Sequence, residues 1–323
     1  MYVGNGGFFG FIHYLVCAVS LLLSQRPNQL SVTVMEDGFR VEADTLLPMQ
    51  SFPFEKISES FPRSFEATVL NALSETLSVE IQNAGIIETV RYKQGLRHTQ
   101  HSLPGGESVG ERTVLLFSPD RTIFSAVSLS PEILTSYLRR LSFLHSGVRF
   151  ILTDHRGTQE FCAERGIIDL FTAVASPYQI LHQPLHLIAH EGSVYLECVF
   201  AFHSWSDEVL WCFINNGRAV SGGSHQSGFQ RALGLLRRRL YPKQSSLPVR
   251  DNGIIGVLSV HSPSAIWAGC LKDRISDPAL EKIVARLIFR EAMAWLQAHP
   301  EEARHLTQIT TFSFPDGWAA PDH

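Results

Sequence analysis

Apolar residues recur at intervals of three and four in several stretches of the chain, which is the spacing that gives a helix one apolar face. These stretches are residues 67–75, 131–144 and 226–240 and a segment that begins at Pro278. Asp277 can cap the last of these helices, and Pro278 suits its first position because a helix leaves that N–H unpaired in any case. Residues 8–23 carry no formal charge and predict a further, buried helix.

Alternating apolar and polar residues predict strands in both halves of the chain. Two hairpins are indicated. In the first, Asp37-Gly38 is a dipeptide that accepts the positive φ angles of a tight turn, and in the second the turn is at residues 83–85. The predicted strands are residues 30–34, 39–43, 77–82, 86–92, 113–117, 147–153, 194–202, 208–213 and 253–260. Residues 45–65 contain three prolines and show no period, which indicates a loop.

The length of 323 residues is enough for two domains, each with its own core. A boundary near Ser176-Pro177 divides the chain into domains 1–176 and 177–323. Strands grouped with helices in each half indicate the α+β class, with helices packed on one face of a sheet.

Composition narrows the classes of function. The chain is 45% hydrophobic and 18% charged with a net charge of −4, which excludes disorder and gives no overall basic signature for nucleic acid. Five scattered cysteines without a CxxC pair argue against a disulfide framework or a cysteine-based zinc site, so a cytoplasmic location is expected. Residues 8–23 are too few to span a bilayer, and no Lys or Arg precedes them as in an export signal. We predict a buried helix, and an export or anchoring signal is the alternative.

Charge is locally uneven, however. Residues 209–250 contain seven basic residues and no acidic one. Helical spacing places Arg231 and Arg238 away from the apolar stripe of the predicted helix. The candidate DNA contacts are therefore Arg231, Arg237, Arg238, Arg239 and Lys243. A solvated helix face is the equally weighted alternative.

Two further patterns carry no predicted chemistry. His182, His186 and His190 are spaced by four, but Pro184 interrupts the helix that a shared metal would need, and along a strand they span about 26 Å. We therefore predict no metal site. Residues 221–224 (SGGS) precede His225 without a carboxylate partner and predict a turn rather than a serine nucleophile.

Several motifs occur in one order along the chain. They are MYVG (1–4), IHYLV (12–16), VLNALSE (69–75), FSPD (117–120), LSFLHSGVRFILTD (141–154), GGSHQSGFQRAL (222–233) and LKDRI (271–275). In this order they resemble the ATPase and transducer region of the gyrase B subunit, a type IIA topoisomerase member of the GHKL ATPase superfamily. The resemblance implies a Bergerat-type GHKL sandwich followed by a transducer like ribosomal protein S5 domain 2.

The same resemblance implies that the catalytic residues are missing. The family's first long helix carries a glutamate that activates water and, four residues on, an asparagine that holds Mg²⁺. Aligned through IHYLV, these positions are Ala18 and Leu22, and Leu21 replaces a neighbouring aspartate. Neither alanine nor leucine can accept a proton or bind a cation, and γ-phosphoryl hydrolysis requires both functions.

The nucleotide contacts are also altered. The family's adenine-reading aspartate falls at Ala43, although a slip of one residue would use Asp44, and both glycines of that turn are absent. The phosphate lid is expected at residues 61–66, which read FPRSFE and lack the glycines that let N–H groups approach an anion. Thr113 and Lys272 match family residues near the nucleotide and are its remaining relics, although an exposed surface lysine is the simpler interpretation of Lys272.

The sequence therefore predicts a catalytically degenerate gyrase B-like module without bound ATP or Mg²⁺, the family's cofactors. We expect it to act on gyrase or DNA topology as an interaction or regulatory protein. The candidate partners are a gyrase subunit, a second copy of the chain and non-specific DNA. No membrane partner is expected. Binding to DNA would place the protein at the nucleoid. DNA cleavage by this chain alone is not expected. A weak or altered ATPase that uses Lys272, Thr113 and Asp44 is the enzymatic alternative, and an inactive remnant is the third.

Overall fold

The computed structural model describes residues 8–48, 65–105, 110–124, 130–204, 208–219, 221–240, 253–268 and 274–309. The chain divides into two compact units, Met1–Gly166 and Ile167–His323. This division precedes the boundary predicted at residue 176 by ten residues. The intervening helix, Ile167–Ala175, packs against strands of the second unit.

Over the residues that the structure describes, the first unit is an eight-stranded sheet with three helices. In chain order its elements are α1 (Phe8–Leu23), β1 (Gln29–Met35), β2 (Gly38–Ala43), α2 (Phe65–Ala72), β3 (Ser74–Asn83), β4 (Ile86–Lys93), β5 (Leu96–Pro104), β6 (Arg112–Pro119), α3 (Pro131–Leu144), β7 (Arg149–Asp154) and β8 (Gly157–Phe161). The strand order is β5-β4-β3-β6-β2-β1-β7-β8. Only the β1–β7 pair is parallel among the pairs of this sheet.

Helix α1 is buried, as the apolar sequence predicts. From Tyr14 to its end, all its side chains are buried or half-buried, and the helix packs on α2 and the sheet. The Tyr14 ring meets the ring of Phe117 edge-on at 4.8 Å between centroids, an arrangement that favours aromatic pairs. Within the described residues, no helix is long and apolar enough to cross a bilayer.

The first hairpin differs in detail from its prediction. Met35 pairs with Gly38, so the two-residue turn is Glu36-Asp37 and Gly38 lies in β2 without a positive φ. A Cβ atom on Gly38 would stand 2.2 Å from the carbonyl oxygen of Phe117, so glycine is required by the close approach of β6. In the second hairpin Ala84 and Gly85 adopt φ angles of 47° and 76°, as predicted.

Helix α2 begins at Phe65 and ends at Ala72, three residues before the predicted end. Ser74 already belongs to β3, and its hydroxyl donates to the Leu70 carbonyl. The chain therefore leaves the helix earlier than its apolar spacing indicates, because the strand pairing of β3 with β6 takes these residues.

In the described residues, the second unit is a five-stranded sheet with four helices. Its elements are α4 (Ile167–Ala175), β9 (Leu185–Glu191), β10 (Val194–Phe202), β11 (Glu208–Ile214), β12 (Gly217–Arg218), α5 (Ser224–Leu240), β13 (Ile254–His261), α6 (Pro278–Ala298) and α7 (Pro300–Ile309). The strand order is β12-β11-β13-β10-β9. The β11–β13 pair is parallel and the others are antiparallel.

Helix α6 begins as predicted. The carboxylate of Asp277 accepts hydrogen bonds from the backbone N–H groups of Ala279 and Leu280 at 3.1 and 3.0 Å. Helix α6 packs closely on α5, since a Cβ atom on Gly228 would lie 2.9 Å from Cβ of Val284. The apolar stripe of α6 is thereby buried in the core that the two helices share with the sheet.

Candidate functional site

The positions that the resemblance assigns to catalysis lie in the core of the first unit. Ala18 and Leu22 are fully buried on α1, and Leu21 is almost so. Leu47, four residues beyond the end of β2, is buried in the same apolar cluster. At these positions α1 presents hydrocarbon to its neighbours, so it supplies neither a proton acceptor nor a ligand for a cation.

Thr113, one of the nucleotide relics, is fully buried at the start of β6. Its hydroxyl donates to the Thr45 carbonyl at 2.7 Å and accepts from the Leu47 N–H at 3.0 Å. These two bonds occupy the hydroxyl's donor and one of its acceptor positions. Thr113 therefore holds the segment after β2 against the sheet.

Asp44, the candidate for adenine contact after a one-residue slip of the alignment, is exposed and hydrogen-bonded locally. Its Oδ1 accepts from the backbone N–H groups of Asn28 and Gln29, both at 2.9 Å, and its Oδ2 accepts from the Asn28 side chain. The carboxylate thus closes the loop before β1. Ala43, the position given by the unshifted alignment, is buried.

Two cavities flank this region. The smaller, about 140 Å³, is lined in part by Glu42, Asp44, Glu111 and Arg112. Its one described cation, Arg112, already contacts Glu42 at 3.2 Å. The excess of carboxylates would repel a polyphosphate.

The larger cavity, about 520 Å³, is mostly apolar, with Asn83 and Glu88 as its described polar side chains. Neither described lining therefore resembles a cradle of N–H groups and cations. Lys272 and residues 61–64 of the predicted lid lie outside the described residues.

The basic helix of the second unit is α5. Arg231, Arg238 and Arg239 are exposed, as the helical spacing predicts for the first two. Arg231 lies 3.5 Å from Glu281. Arg237 is within α5, but its side chain and the whole of Lys243 lie outside the described part.

A second basic row lies on α6, where Lys282, Arg286 and Arg290 are exposed. Their spacing of four residues is the signal that could have predicted it. Arg286 is paired with Glu191 and Arg290 with Glu291, so acidic neighbours offset part of this charge.

Two of the three spaced histidines, and the SGGS turn, have structural partners. His182 accepts from the Phe202 N–H through Nε2 at 2.8 Å, and His186 lies 2.9 Å from Glu197. Among the described residues no group of His, Cys, Asp and Glu could hold a metal ion. The Ser224 hydroxyl accepts from the Asp277 N–H at 2.7 Å and so joins the starts of α5 and α6.

His225 was not predicted as a special residue. It is fully buried in the first turn of α5, and neither ring nitrogen has a hydrogen-bond partner among the described residues. Burial lowers the pKa of His225 to about 4, so the ring is neutral near neutral pH. The sequence could have singled out His225 only through its position close to the glycine pair of the turn, Gly222-Gly223.

The two sheets and the order of their helices define a class of fold, the GHKL-type ATPase region followed by a transducer-like region. The structure superposes on the 43K ATPase domain of Thermus thermophilus gyrase B, which was solved with an aminocoumarin, with a TM-score of 0.79. That superposition covers 96% of this chain and 90% of the other at 20% identity. The DNA gyrase B protein of Myxococcus xanthus gives a TM-score of 0.76 at 19% identity over 95% of this chain and 96% of that one.

The sequence comparisons show which proteins this chain is similar to. The DNA gyrase B family model matches residues 166–313. The DNA gyrase B protein of Archaeoglobus fulgidus is 29% identical over 74% of this chain and 40% of its own length. The corresponding B-type protein of DNA topoisomerase 4 from Enterococcus faecalis is 25% identical over 95% of this chain and 51% of its own. The chain is thus similar to the ATPase and transducer region of gyrase B proteins, and it spans about half the length of such relatives or less.

Proposed function

We propose that this chain is a gyrase B-like module that has lost ATP hydrolysis and serves as an interaction protein. The observation that carries the proposal is the full burial of Ala18 and Leu22 at the positions of the family's general base and Mg²⁺ ligand. Activation of water needs a proton acceptor, and a metal-bound triphosphate needs oxygen or nitrogen ligands. These side chains offer only hydrocarbon.

The remaining nucleotide contacts support the same proposal. The Thr113 hydroxyl is hydrogen-bonded to the segment after β2, and the Asp44 carboxylate to the loop before β1. A nucleotide would have to displace these bonds before it could use either residue. The described residues do not fit ATP and Mg²⁺ as the family binds them.

We infer that the partner is a gyrase-type subunit in the cytoplasm. Both units retain the architecture of the gyrase B region, and such a scaffold can pair with related subunits without a catalytic centre of its own. The chain would then change gyrase activity by occupying a subunit position.

Binding of a nonhydrolysable ATP analogue is the first test. The purified chain and a catalytically competent gyrase B ATPase fragment are titrated side by side by calorimetry, with and without Mg²⁺. We expect heat of binding from the competent fragment alone. Saturable binding by this chain, weakened by Thr113→Val but retained in Thr113→Ser, would favour the weak-ATPase alternative.

Hydrolysis is the second test. We expect no phosphate release above background from the chain or from Ala18→Glu, because a base without the metal ligand and the lid supplies one part of a machinery that acts as a unit. Mg²⁺-dependent release by the unaltered chain that disappears in Lys272→Ala would overturn the proposal. The matched control is Lys282→Ala, an exposed lysine on α6.

Interaction with a gyrase-type subunit needs its own assay. Sedimentation of the chain mixed with a gyrase B protein is expected to show a complex absent from either protein alone. A mixture that sediments as two separate species up to high concentration would contradict the partner assignment, whatever the result with ATP.

DNA is a second candidate partner, supported by the exposed Arg238 and Arg239 at the end of α5. Among the described residues neither forms an ion pair, unlike Arg231. Such a surface would contact phosphates without regard to base sequence.

A further inference from the structure

Strand β5 forms one edge of the eight-stranded sheet and has an unusual exposure. Among the described residues it pairs with β4 alone, and eight of its nine side chains are exposed. Leu96 and Leu103 are 68% and 62% exposed. An edge strand presents a row of backbone N–H and C=O groups that can pair with another strand.

The usual devices that block such pairing are concentrated at the two ends of β5. The register with β4 shifts between Arg91 and Tyr92, which leaves His98 without an opposite residue, and Pro104 ends the strand. Between these points there is no lysine, aspartate or glutamate. Natural edges are commonly protected by such charges, bulges and prolines, and the middle of β5 has none of them.

The hydrogen-bond pattern identifies the outward groups. The Gly105 N–H donates to the Gly85 carbonyl, which makes these two residues a hydrogen-bonded pair in the β4–β5 ladder. Because such pairs alternate along antiparallel strands, Thr99, His101 and Leu103 direct their backbone groups to β4. Gln100 and Ser102 therefore direct theirs away from the sheet. Among the described residues no hydrogen bond reaches these outward groups.

We propose that β5 pairs antiparallel with β5 of a second copy of this chain, about a two-fold axis at His101. Side chains alternate between the two faces of a strand. When a two-fold axis perpendicular to the sheet relates the two copies, opposed residues point to the same face only if their residue numbers differ by an even number. With the axis at His101, Gln100 of each copy lies opposite Ser102 of the other. The two outward positions between the bulge and the proline then satisfy each other through four hydrogen bonds.

The side chains fit the same register. Leu103 of one copy lies opposite Thr99 of the other, so the exposed leucine can pack against the methyl group of the threonine. His101 meets its own copy, and no pair of permanent charges is placed directly opposite. The two Arg97 side chains are eight residues apart along the strands, about 26 Å, which exceeds the Debye length at physiological salt.

We infer that a second copy of the chain binds this edge. In the proposed register, the outward backbone groups of Gln100 in one copy match those of Ser102 in the other. The contact is small, and interfaces below about 1,200 Å² are weak or transient. We therefore expect concentration-dependent association. This inference does not rest on the loss of ATP hydrolysis.

Disulfide trapping tests the register. In a Cys162→Ser/Cys270→Ser background, His101→Cys is compared with Thr99→Cys and Leu103→Cys under mild oxidation. Residues 101 of the two copies would form a non-hydrogen-bonded pair with Cα atoms about 4.5 Å apart, which suits a disulfide. Residues 99, and likewise residues 103, would be about 13 Å apart.

We expect dimer to form from His101→Cys at least about tenfold faster than from either single control, because alignment raises the effective concentration of the thiols. The double variant Thr99→Cys/Leu103→Cys is expected to cross-link where its two parents do not. Equal rates at the three positions, no cross-linking, or faster reaction at 99 or 103 would each overturn the proposal. Unfolding midpoints of the reduced variants verify that the sheet is intact.

Sedimentation of the unoxidised chain gives an independent measurement. His101→Lys would place two ammonium groups opposite each other and is expected to weaken self-association about fivefold or more. Ser136→Lys, an exposed site on α3, adds the same charge elsewhere and should leave association unchanged. Equal association of both variants, or a chain that stays monomeric at millimolar concentration, would mean that β5 does not receive a second copy.

Discussion

The two units differ in the chemistry of one pair of buried positions in each. In the first unit, the positions that would carry catalysis are Ala18 and Leu22, and both are part of the apolar core. In the second, Ser224 and Asp277 are buried, polar and mutually hydrogen-bonded. The DNA gyrase B family model matches residues 166–313, which lie almost entirely within the second unit.

This difference separates two kinds of constraint. Polar groups that hold helix starts in place contribute to folding itself, so their loss would cost stability. Polar groups that serve a ligand are costly to bury once the ligand is gone, and apolar residues can replace them. Under the proposed function, the first unit would have kept its scaffold in this way while apolar residues took the positions that catalysis uses in the family.

The largest effect on stability is expected when the asparagine of the family is placed at position 22 of α1. Leu22→Asn is expected to lower the free energy of unfolding by about 3–5 kcal/mol, because it removes buried apolar surface and buries an amide. Leu96→Asn, at a mostly exposed site, should cost well under 1 kcal/mol, as surface substitutions do. Urea denaturation measures both. Similar small costs would mean that α1 faces an open, polar pocket.

Between pH 6.5 and 4, acid is expected to lower the stability of the second unit through protonation of His225. The pKa of His225 is about 4 in the folded chain and about 6.5 when exposed, so the unfolded chain binds its proton first as pH falls. The stability contributed by the neutral ring is complete above pH 6.5 and is lost on the way to pH 4. The loss reaches roughly 3 kcal/mol, at about 1.4 kcal/mol per pKa unit.

His225→Leu isolates this contribution from the other histidines. The difference in unfolding free energy between the parent and the variant is expected to change with pH between 6.5 and 4 and to be constant above that range. A difference that does not vary with pH would show that His225 has a hydrogen-bond partner for its charged form.

Thr113→Val tests whether a nucleotide relic has become structural. The change keeps the side-chain volume but leaves the Leu47 N–H without its acceptor, and we expect a loss of about 1–3 kcal/mol. Thr113→Ser keeps the hydroxyl and should lose less. If instead valine is neutral in thermal unfolding, the segment after β2 does not depend on Thr113.

Asp277→Ala gives the corresponding value in the second unit. Removal of the N-cap acceptor of α6 should cost about 1 kcal/mol, whereas Asp277→Asn keeps an acceptor oxygen and should cost less. Chemical denaturation of the three proteins gives the comparison. No difference between alanine and asparagine would indicate that packing alone sets the start of α6.

The smallest effect concerns DNA. If α5 contacts phosphates, binding falls with salt at a log–log slope of about −0.9 per phosphate, and Arg238→Ala/Arg239→Ala reduces that slope by about two. The double variant Arg91→Ala/Arg121→Ala removes equal charge from the first unit and is the control. Equal slopes in a fluorescence-anisotropy titration, or no salt-dependent binding, would leave the arginines as a solvated face.

Three features of the sequence predicted helices correctly: the uncharged apolar run predicted α1, the helical spacing of apolar residues predicted α3, and Asp277 with Pro278 predicted the start of α6. Strand β5 escaped prediction because its polar side chains are exposed on both faces and its place in the sheet depends on backbone pairing. Helix α7 is short and largely exposed, and it gave no stripe long enough to recognise.

The site was predictable in part. The resemblance assigned Ala18 and Leu22 to the family's catalytic positions, and their burial agrees with their apolar side chains; the loss of catalysis itself stays a prediction. The bonds of Thr113 and Asp44 go to backbone groups of residues whose position depends on the folded loop, so residue types could not reveal them. The role of Gly38 was misassigned for the same reason, since its neighbour Phe117 is distant in sequence.

The backbone around Ile275 has a consequence for how this chain can change over evolutionary time. Ile275 bridges to both Gly223 and Trp267, and the Ala268 N–H donates to the Arg274 carbonyl at 2.9 Å. A Cβ atom on Gly223 would come within 2.3 Å of the Ile275 carbonyl oxygen, so this junction tolerates little variation. Any residue with a side chain at position 223 would have to displace the backbone of Ile275, and with it the bridge to Trp267. Glycine is therefore a requirement at this position that later changes elsewhere in the chain cannot easily relax.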